Sequence, residues 1–460
     1  MPRPISIAEI IDSSPVSAIQ KRTITLCVVL AVLDGFDALL LGYAVPAIAK
    51  DWEIGPAEFG IVMSVSAAAM VLGSIIFGSI SDRLGRRRLV IAGTVIFSIL
   101  TLLTAFASSM PVLIGLRALA GLALGGVTPN LLALSSEVSP KRIRGTVVTV
   151  LTSSMAMGAF LGGIVAASLV PTFGWKSLFV VGGVVPLLAA IAAYRWLPES
   201  IAFLATHGES RKVADYVRSI DGVSTSFGPD TEFVYHTSEV PEKASMSRLF
   251  GGGRAVTTAA LWAAYFLTLL VLYFLMGWMP TLFEDAGMSA TTASTATALF
   301  SLGGVVGGIV FGRIGDRIGS PSWVGVGSFT FAAAFILLTA ALMGTNQMLT
   351  LTVVFITGFG VLGSAAIMNV IAAGSYPTAI RGAGIGWALG IGRLGSITGP
   401  AVGAIALALS LGAATIFSSM AVPALAAAIL LVVIARRSSS AAEDSVPPVT
   451  ASAASPTLKG

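Results

Sequence analysis

The chain has 460 residues, 55% of them hydrophobic and only 11% charged, with a mean hydropathy of +0.91. A water-soluble domain carries about 25% charged residues, so this composition excludes one; the net charge of +5 does not mark a nucleic-acid binder, because the basic residues lie between apolar runs instead of on one folded face. The single cysteine, Cys27, excludes an internal disulfide, and the 51 glycines suit helices that approach closely inside a bilayer.

A bilayer core about 30 Å thick is crossed by about 20 apolar residues rising 1.5 Å each. Segmented on that length, the chain shows twelve runs: 22–44, 58–80, 89–108, 110–134, 146–170, 176–197, 256–280, 292–314, 322–343, 348–372, 383–408 and 412–435. The first follows Lys21 and Arg22 but runs well past Leu40 without a small-residue cleavage site, so it reads as a retained helix and not a signal peptide. Residues 1–21 form a cytoplasmic N-terminal segment and 22–198 a first six-helix bundle. A polar connector, 199–254, holds His207 and His236, with a short helix expected over Arg211 to Ser219. A second bundle spans 255–436, and residues 437–460, rich in Ser, Ala and Pro, read as a disordered cytoplasmic tail.

Cytoplasmic loops accumulate Lys and Arg. With both termini inside, only Lys50 and Lys176 fall outside and only Arg117 and Arg393 within helices, which leaves 23 of the 27 basic residues on the cytoplasmic side. The expected location is a bacterial inner membrane, crossed many times.

The two bundles repeat each other. Gly78, Asp82, Arg83 and Gly85 recur as Gly312, Asp316, Arg317 and Gly319, all 234 residues later, and Pro140, Arg144 and Gly145 recur as Pro377, Arg381 and Gly382, 237 residues later. Duplicated six-helix halves place a substrate site between them near the membrane midplane. The predicted fold is therefore all-α and integral to the membrane: twelve transmembrane helices in two pseudo-symmetric six-helix bundles.

The run GSISDRLGRRR at 78–88 resembles the loop signature of the major facilitator superfamily. DGFD at 34–37, PNLLALSSE at 129–137, LPES at 197–200 and GIGWALGIGRLGSITGP at 384–400 resemble the aromatic acid:H⁺ symporter family, over nearly all of residues 20–435. The glycine-proline signature of antiporter families is missing from the fifth helix, which reads MAMGAFLGGIVAA. The resemblance implies a monomeric importer of a small aromatic carboxylate, coupled to protons and embedded in lipid, serving aromatic catabolism, with no cofactor. It also implies that the loop around Asp82 and Arg83 latches the halves on the cytoplasmic face. Its second copy keeps Asp316 and Arg317 but loses the trailing arginines, and Glu137, Arg144 and Arg381 are expected to join the same inner charge network.

An ionisable group inside a bilayer costs a few kcal/mol and invites a functional reading. Asp34 and Asp37 lie well inside the first run, three residues apart on one helix face. Two close carboxylates in a low dielectric resist being ionised together, so the pair can load and release a proton as a unit; the alternative is that both merely hydrogen-bond neighbouring helices or fix an arginine. Arg117 and Arg393 come out at similar depths, and a guanidinium there can grip a carboxylate bidentately. Either arginine binds the substrate carboxylate, or pairs with the acids when the site is empty, or forms a permanent salt bridge within its half.

Asn130 and Asn369 are read as buried amides able to bind a ring hydroxyl or to join helices, and Tyr273 and Trp387 as rings able to stack on substrate. Trp278, near a helix end, reads as an interfacial anchor. Gly121 and Gly125, and Gly382, Gly386 and Gly390, read as packing grooves at four-residue spacing. The helices offer no metal-ligand cluster, nucleophile with base, or phosphate loop, which argues against a membrane enzyme. An efflux antiporter of amphipathic compounds, a symporter of a non-aromatic organic acid, and a sensor that binds without transport stay open.

Overall fold

A computed structural model describes residues 5–220, 233–234, 246–318 and 320–443. Its long helices are α1 (Ala18–Trp52), α2 (Phe59–Leu84), α3 (Arg86–Thr104), α4 (Met110–Val138), α5 (Lys141–Phe173) and α6 (Lys176–Trp196), then α7 (Ala255–Asp285), α8 (Ala290–Ile318), α9 (Pro321–Leu342), α10 (Gln347–Ser375), α11 (Thr378–Ala408) and α12 (Ala421–Glu443), the last preceded by a short helix at Ala413–Ser419. Twelve spans among the described residues are long and apolar enough to cross a membrane, matching the twelve apolar runs. Side-chain caps begin α1, on Ser17, and α10, on Asn346. At the start of α1, the Ser17 amide donates to Gln20 Oε1 at 2.7 Å and the Gln20 amide to Ser17 Oγ at 3.4 Å, a reciprocal cap that satisfies two otherwise orphaned groups. The same Gln20 donates to the Val138 carbonyl at 2.8 Å and so pins the start of α1 to the end of α4.

The two halves share one packing plan. In the first, α2 lies on α4 and α1 on α5; in the second, α8 lies on α10 and α7 on α11. Glycines make these pairs close. An added Cβ at Gly35 would strike the Met155 backbone and one at Gly121 would lie 2.6 Å from the Ser66 carbonyl oxygen; in the second half, one at Gly399 would lie 2.7 Å from the Leu270 carbonyl oxygen. Without a hydrophobic drive between helices in lipid, such contact is a main source of association. Gly121 and Gly125 do form the expected groove, against α2. Gly382, Gly386 and Gly390 do not: a Cβ there meets nothing within 4 Å, and the backbone approaches of α11 fall instead at Gly395 and Gly399, one to two turns further on.

Between halves, α5 meets α8, α2 meets α11, and α1 meets α7. These contacts belong to the end away from the chain termini. One buried cluster there joins Leu40, Ile48 and Phe59 to Phe274, Trp278 and Phe300. Toward the termini the core divides, with Leu30, Phe97 and Leu131 in a cluster confined to the first half and Leu261, Phe329 and Ile371 in one confined to the second. The bundle is thus sealed at one end and parted at the end that carries the termini. Trp278 belongs to the seal and is not an interfacial anchor: it is fully buried, its indole N–H donates to the Pro400 carbonyl at 3.0 Å, and its ring lies beside Gly60 of the other half.

A satellite core sits under the first half. Ile7 and Ile11 of a short helix (Ile7–Ser13) pack with Ile201, Leu204, Val213 and Val217 of two connector helices (Ile201–Thr206 and Ser210–Arg218). The second of these is the helix expected over Arg211 to Ser219. A two-residue parallel pairing of Ile5–Ser6 with Phe233–Val234 is a small departure from an all-helical chain. The last helix continues to Glu443, past the expected boundary at Arg437, while the tail beyond it, and His236 in the connector, lie outside the described residues.

Candidate functional site

Asp34 and Asp37 stand at the middle of α1, the 17th and 20th of its 35 residues, and both are fully buried. Their surroundings differ. Asp37 is gripped by Arg117 of α4 in a fork, Nη1 to Oδ1 at 3.3 Å and Nη2 to Oδ2 at 3.1 Å, and Nη2 also reaches its backbone carbonyl at 3.2 Å. The Thr101 hydroxyl of α3 donates to the same carboxylate at 2.6 Å. A buried carboxylate with a bidentate guanidinium and a hydroxyl donor has its charge compensated and its geometry fixed. Arg117 is 3% exposed, so the salt bridge within a half is the arrangement the structure contains.

Asp34 has no such cation. The Thr128 hydroxyl of α4 donates to its Oδ2, while Oδ1 is buried with no hydrogen-bond partner among the described residues. Arg393, the 16th of the 31 residues of α11, lies close enough to Asp34 for electrostatic interaction, and Tyr273 of α7 feels both. The Arg393 guanidinium makes no hydrogen bond or ion pair among the described residues and is half-buried; Arg393 enters that set only through its backbone carbonyl, which accepts from Ser396 at 2.6 Å. The centre of the molecule thus holds one acid and base paired, with Arg117 Nε left without a hydrogen-bond partner among the described residues, and one acid and one base left apart.

A cavity of ≈ 70 Å³ lies between the halves; of the groups above, Arg117 and Tyr273 line it and Asp34 and Arg393 do not. Met63, Ser66 and Met70 of α2 and Arg117 of α4 wall it on one side, and Tyr273 of α7 and Pro400 of α11 on the other. Its lining is mainly apolar, with Arg117, Ser66 and Tyr273 as the polar points. It is smaller than the ~150 Å³ cavity that accepts a benzene ring, and the flexible side chains of Met63 and Met70 form part of its wall.

The remaining sequence candidates divide. Asn130 is buried, but its amide donates to the Gly126 carbonyl of its own helix at 2.7 Å. Asn369 is exposed and not buried as its apolar run suggested; its Oδ1 accepts from the Tyr265 hydroxyl at 3.0 Å, joining α10 to α7. Trp387 is away from the cavity, stacked on Trp262 with ring centres 5.8 Å apart. Thr101 and Thr128 carry no sequence signal of their role. Most threonines in these helices donate to their own backbone one turn earlier, as Thr94 and Thr104 do, and nothing local marks the two that reach an aspartate instead.

At the end carrying the termini, Gly85 closes α2 and opens α3 with φ of +89°, a conformation that favours glycine, and a Cβ would lie 2.6 Å from a Glu199 carboxylate oxygen. Glu199 accepts the Arg87 amide at 2.9 Å and so caps α3, and the Arg87 side chain donates to the Tyr194 carbonyl at 2.6 Å. Glu137 pairs with Arg86 and accepts from the Ser200 hydroxyl at 2.5 Å. The loop signature, PNLLALSSE and LPES are therefore parts of one cluster inside the first half. Arg144 was expected in that network but donates to the Ser139 carbonyl at 3.1 Å, and its repeat Arg381 donates to the Tyr376 carbonyl at 3.4 Å, the same cap five residues back. Arg83 and Arg317 are exposed at the parted end, and the side chains of Asp82 and Asp316 lie outside the described residues.

A sequence profile of the Major Facilitator Superfamily matches residues 27–250 and 261–458. A gallate transporter of Pseudomonas putida is 37% identical over 425 residues, 92% of this chain and 94% of the relative. A 4-hydroxybenzoate transporter of the same organism is 33% identical over 429 residues, again 92% and 94%. A benzoate transport protein of Acinetobacter baylyi is 30% identical over 431 residues, 92% and 91%. Among solved structures, a bacterial homolog of the human lysosomal transporter Spinster, inward-facing and unoccupied, superposes with a TM-score of 0.63 at 14% identity, covering 94% of this chain and 99% of that one, a likeness of fold alone.

Proposed function

Because the chain belongs to the major facilitator superfamily and the relatives it matches are transporters of aromatic acids, we propose that it takes up a small aromatic carboxylate together with protons, by alternating access of its two bundles. It is a multi-pass membrane protein and not an enzyme. The reading places it as a monomer in a bacterial inner membrane with both termini cytoplasmic, the side favoured by the basic residues.

The observation that carries the proposal is the lone Arg393 guanidinium at the middle of α11. A cation at that depth is costly unless compensated, and its protein neighbours leave it open for an anionic ligand. Arg117, already forked to Asp37, holds the first half in shape. When Asp34 is ionised, it attracts Arg393 and competes with the substrate carboxylate; a proton on Asp34 removes that competition. Proton and anion therefore favour each other's binding, which is the thermodynamic requirement of symport. After both leave, Asp34 and Arg393 neutralise each other, and the empty carrier can return without a bare charge.

The gating reading follows the parted end. Arg83 and Arg317, exposed there, are available to the opposite half when that end closes, while Glu137, Arg86, Arg87 and Glu199 keep the loop folded on its own half. Asp82 and Asp316 belong to this gate by the repeat.

Uptake into proteoliposomes under an imposed pH gradient, acid outside, tests the proposal. Benzoate, hydroxybenzoates, protocatechuate, gallate and gentisate are offered in turn. Gradient-driven accumulation of at least one is expected, and its loss in Asp34→Asn with counterflow exchange retained. Outward pumping against the gradient, or accumulation indifferent to it, overturns the reading.

A further inference from the structure

We propose that the unpartnered carboxylate oxygen of Asp34 reads a ring hydroxyl, so that the site selects hydroxylated aromatic acids over unsubstituted ones of the same shape. The inference rests on the reading of Arg393 as the carboxylate anchor and goes beyond it by assigning the other end of the ligand.

Asp34 is fully buried, so each of its oxygens needs a partner in the protein, an ordered water or the ligand. Oδ2 has one, the Thr128 hydroxyl. Oδ1 has none among the described residues. The neighbouring Asp37 shows what a satisfied acid looks like here, with Arg117 and Thr101 between them serving both of its oxygens. At Asp34 the vacancy falls on one of the two oxygens, Oδ1.

Asp34 interacts electrostatically with Arg393, whose guanidinium makes no hydrogen bond or ion pair among the described residues, and with Tyr273, which lies at the wall of the cavity. A flat ligand carrying an acceptor at one end and a hydroxyl at the other meets both Arg393 and Asp34: its carboxylate lies on Arg393, its ring passes the mainly apolar wall, and its hydroxyl reaches Oδ1. A phenolic hydroxyl both donates and accepts. It can donate to Oδ1 when Asp34 is ionised and accept from it when Asp34 is protonated, so one ligand group serves the carrier at both stages of a proton-coupled cycle. A hydrogen or a methyl group on the ring does neither and leaves Oδ1 buried and unpaired. A site whose polar group is left unpaired by the wrong ligand discriminates far more strongly than an apolar pocket does.

The test uses the purified full-length protein in lipid nanodiscs, with dissociation constants measured by calorimetry. The three monohydroxybenzoates, the three methylbenzoates and benzoate are compared; methyl matches hydroxyl in size and removes the hydrogen bond. At least one hydroxybenzoate should bind tenfold or more tightly than its methyl counterpart and than benzoate. Asp34→Ala and Asp34→Val should each bring that ratio within twofold, and either variant suffices should the other fail to fold. Asp34→Asn, with a polar atom in the same place, should retain at least a threefold preference, which a merely structural role for Asp34 would not require. Equal affinity for hydroxy and methyl analogues in the native protein, or a hydroxyl preference that survives Asp34→Ala, overturns the assignment. If no benzenecarboxylate binds, or Arg393→Gln leaves every affinity unchanged, it is the carboxylate reading beneath it that fails.

Discussion

In the first half of the molecule, Arg117 is forked to Asp37 and locked by Thr101; in the second half, Arg393 lies at the centre of α11 with no protein partner among the described residues. Both are arginines deep in apolar helices, and a hydropathy profile treats them alike. The difference lies in what faces them. A buried charge forked to its counter-ion is a fastener, and breaking it leaves the survivor stranded; a charge held without a counter-ion is unstable on its own account and gains from any anion that arrives.

Substitutions should pull the two arginines apart. The largest effect is expected from Arg117→Leu, which strands the Asp37 carboxylate and should lower the stability of the purified protein by about 3–5 kcal/mol, read as loss of folded protein on heating. Asp37→Leu combined with Arg117→Leu should recover most of that loss, since no charge is then stranded. Arg393→Leu should leave thermal stability near that of the native protein but weaken aromatic acid binding by about a hundredfold, or 2.7 kcal/mol, with Arg393→Lys intermediate because an ammonium cannot fork. If Arg393→Leu unfolds the protein and Arg117→Leu only weakens binding, the contrast is reversed. The smallest effects concern glycines. Gly395→Ala places a Cβ against the Phe266 carbonyl oxygen and should destabilise by about 1–3 kcal/mol, whereas Gly386→Ala, where nothing lies within 4 Å, should change stability by less than about 0.5 kcal/mol. Equal effects at the two positions would show that α11 is packed along its whole length.

The sequence makes the architecture plain because the bilayer imposes a single length scale and a charge rule. Helix number, the repeat and the two buried aspartates can all be read from position alone. Pairing cannot, because a partner is a neighbour in space. Gly121 and Gly386 have the same four-residue spacing to a sister glycine, yet only the first meets another helix. Trp278 lies near a proline and a helix end, as interfacial tryptophans do, and is buried because the opposite half closes over it. Asn369 belongs to an apolar run but is exposed at the parted end, where apolar sequence does not mean burial. The choice of Arg117 by Asp37, and of Thr128 by Asp34, follows from how α4 crosses α1, which no local pattern records.

The satellite core of Ile7, Ile11 and the connector helices adheres to the first half, and its attachments are specific: the Asp12 carboxylate accepts the Lys141 amide at 2.7 Å at the start of α5, and Arg142 donates to the Asp12 and Ser14 carbonyls. The other half keeps its own tie at this end, where Arg437 donates to the Gly253 carbonyl at 3.5 Å. A spectroscopic probe fixed on the Ile7–Ser13 helix would thus ride with one bundle and a probe near Gly253 with the other, and the distance between them would serve as a ruler for the rocking motion, with neither label touching the membrane-embedded charges.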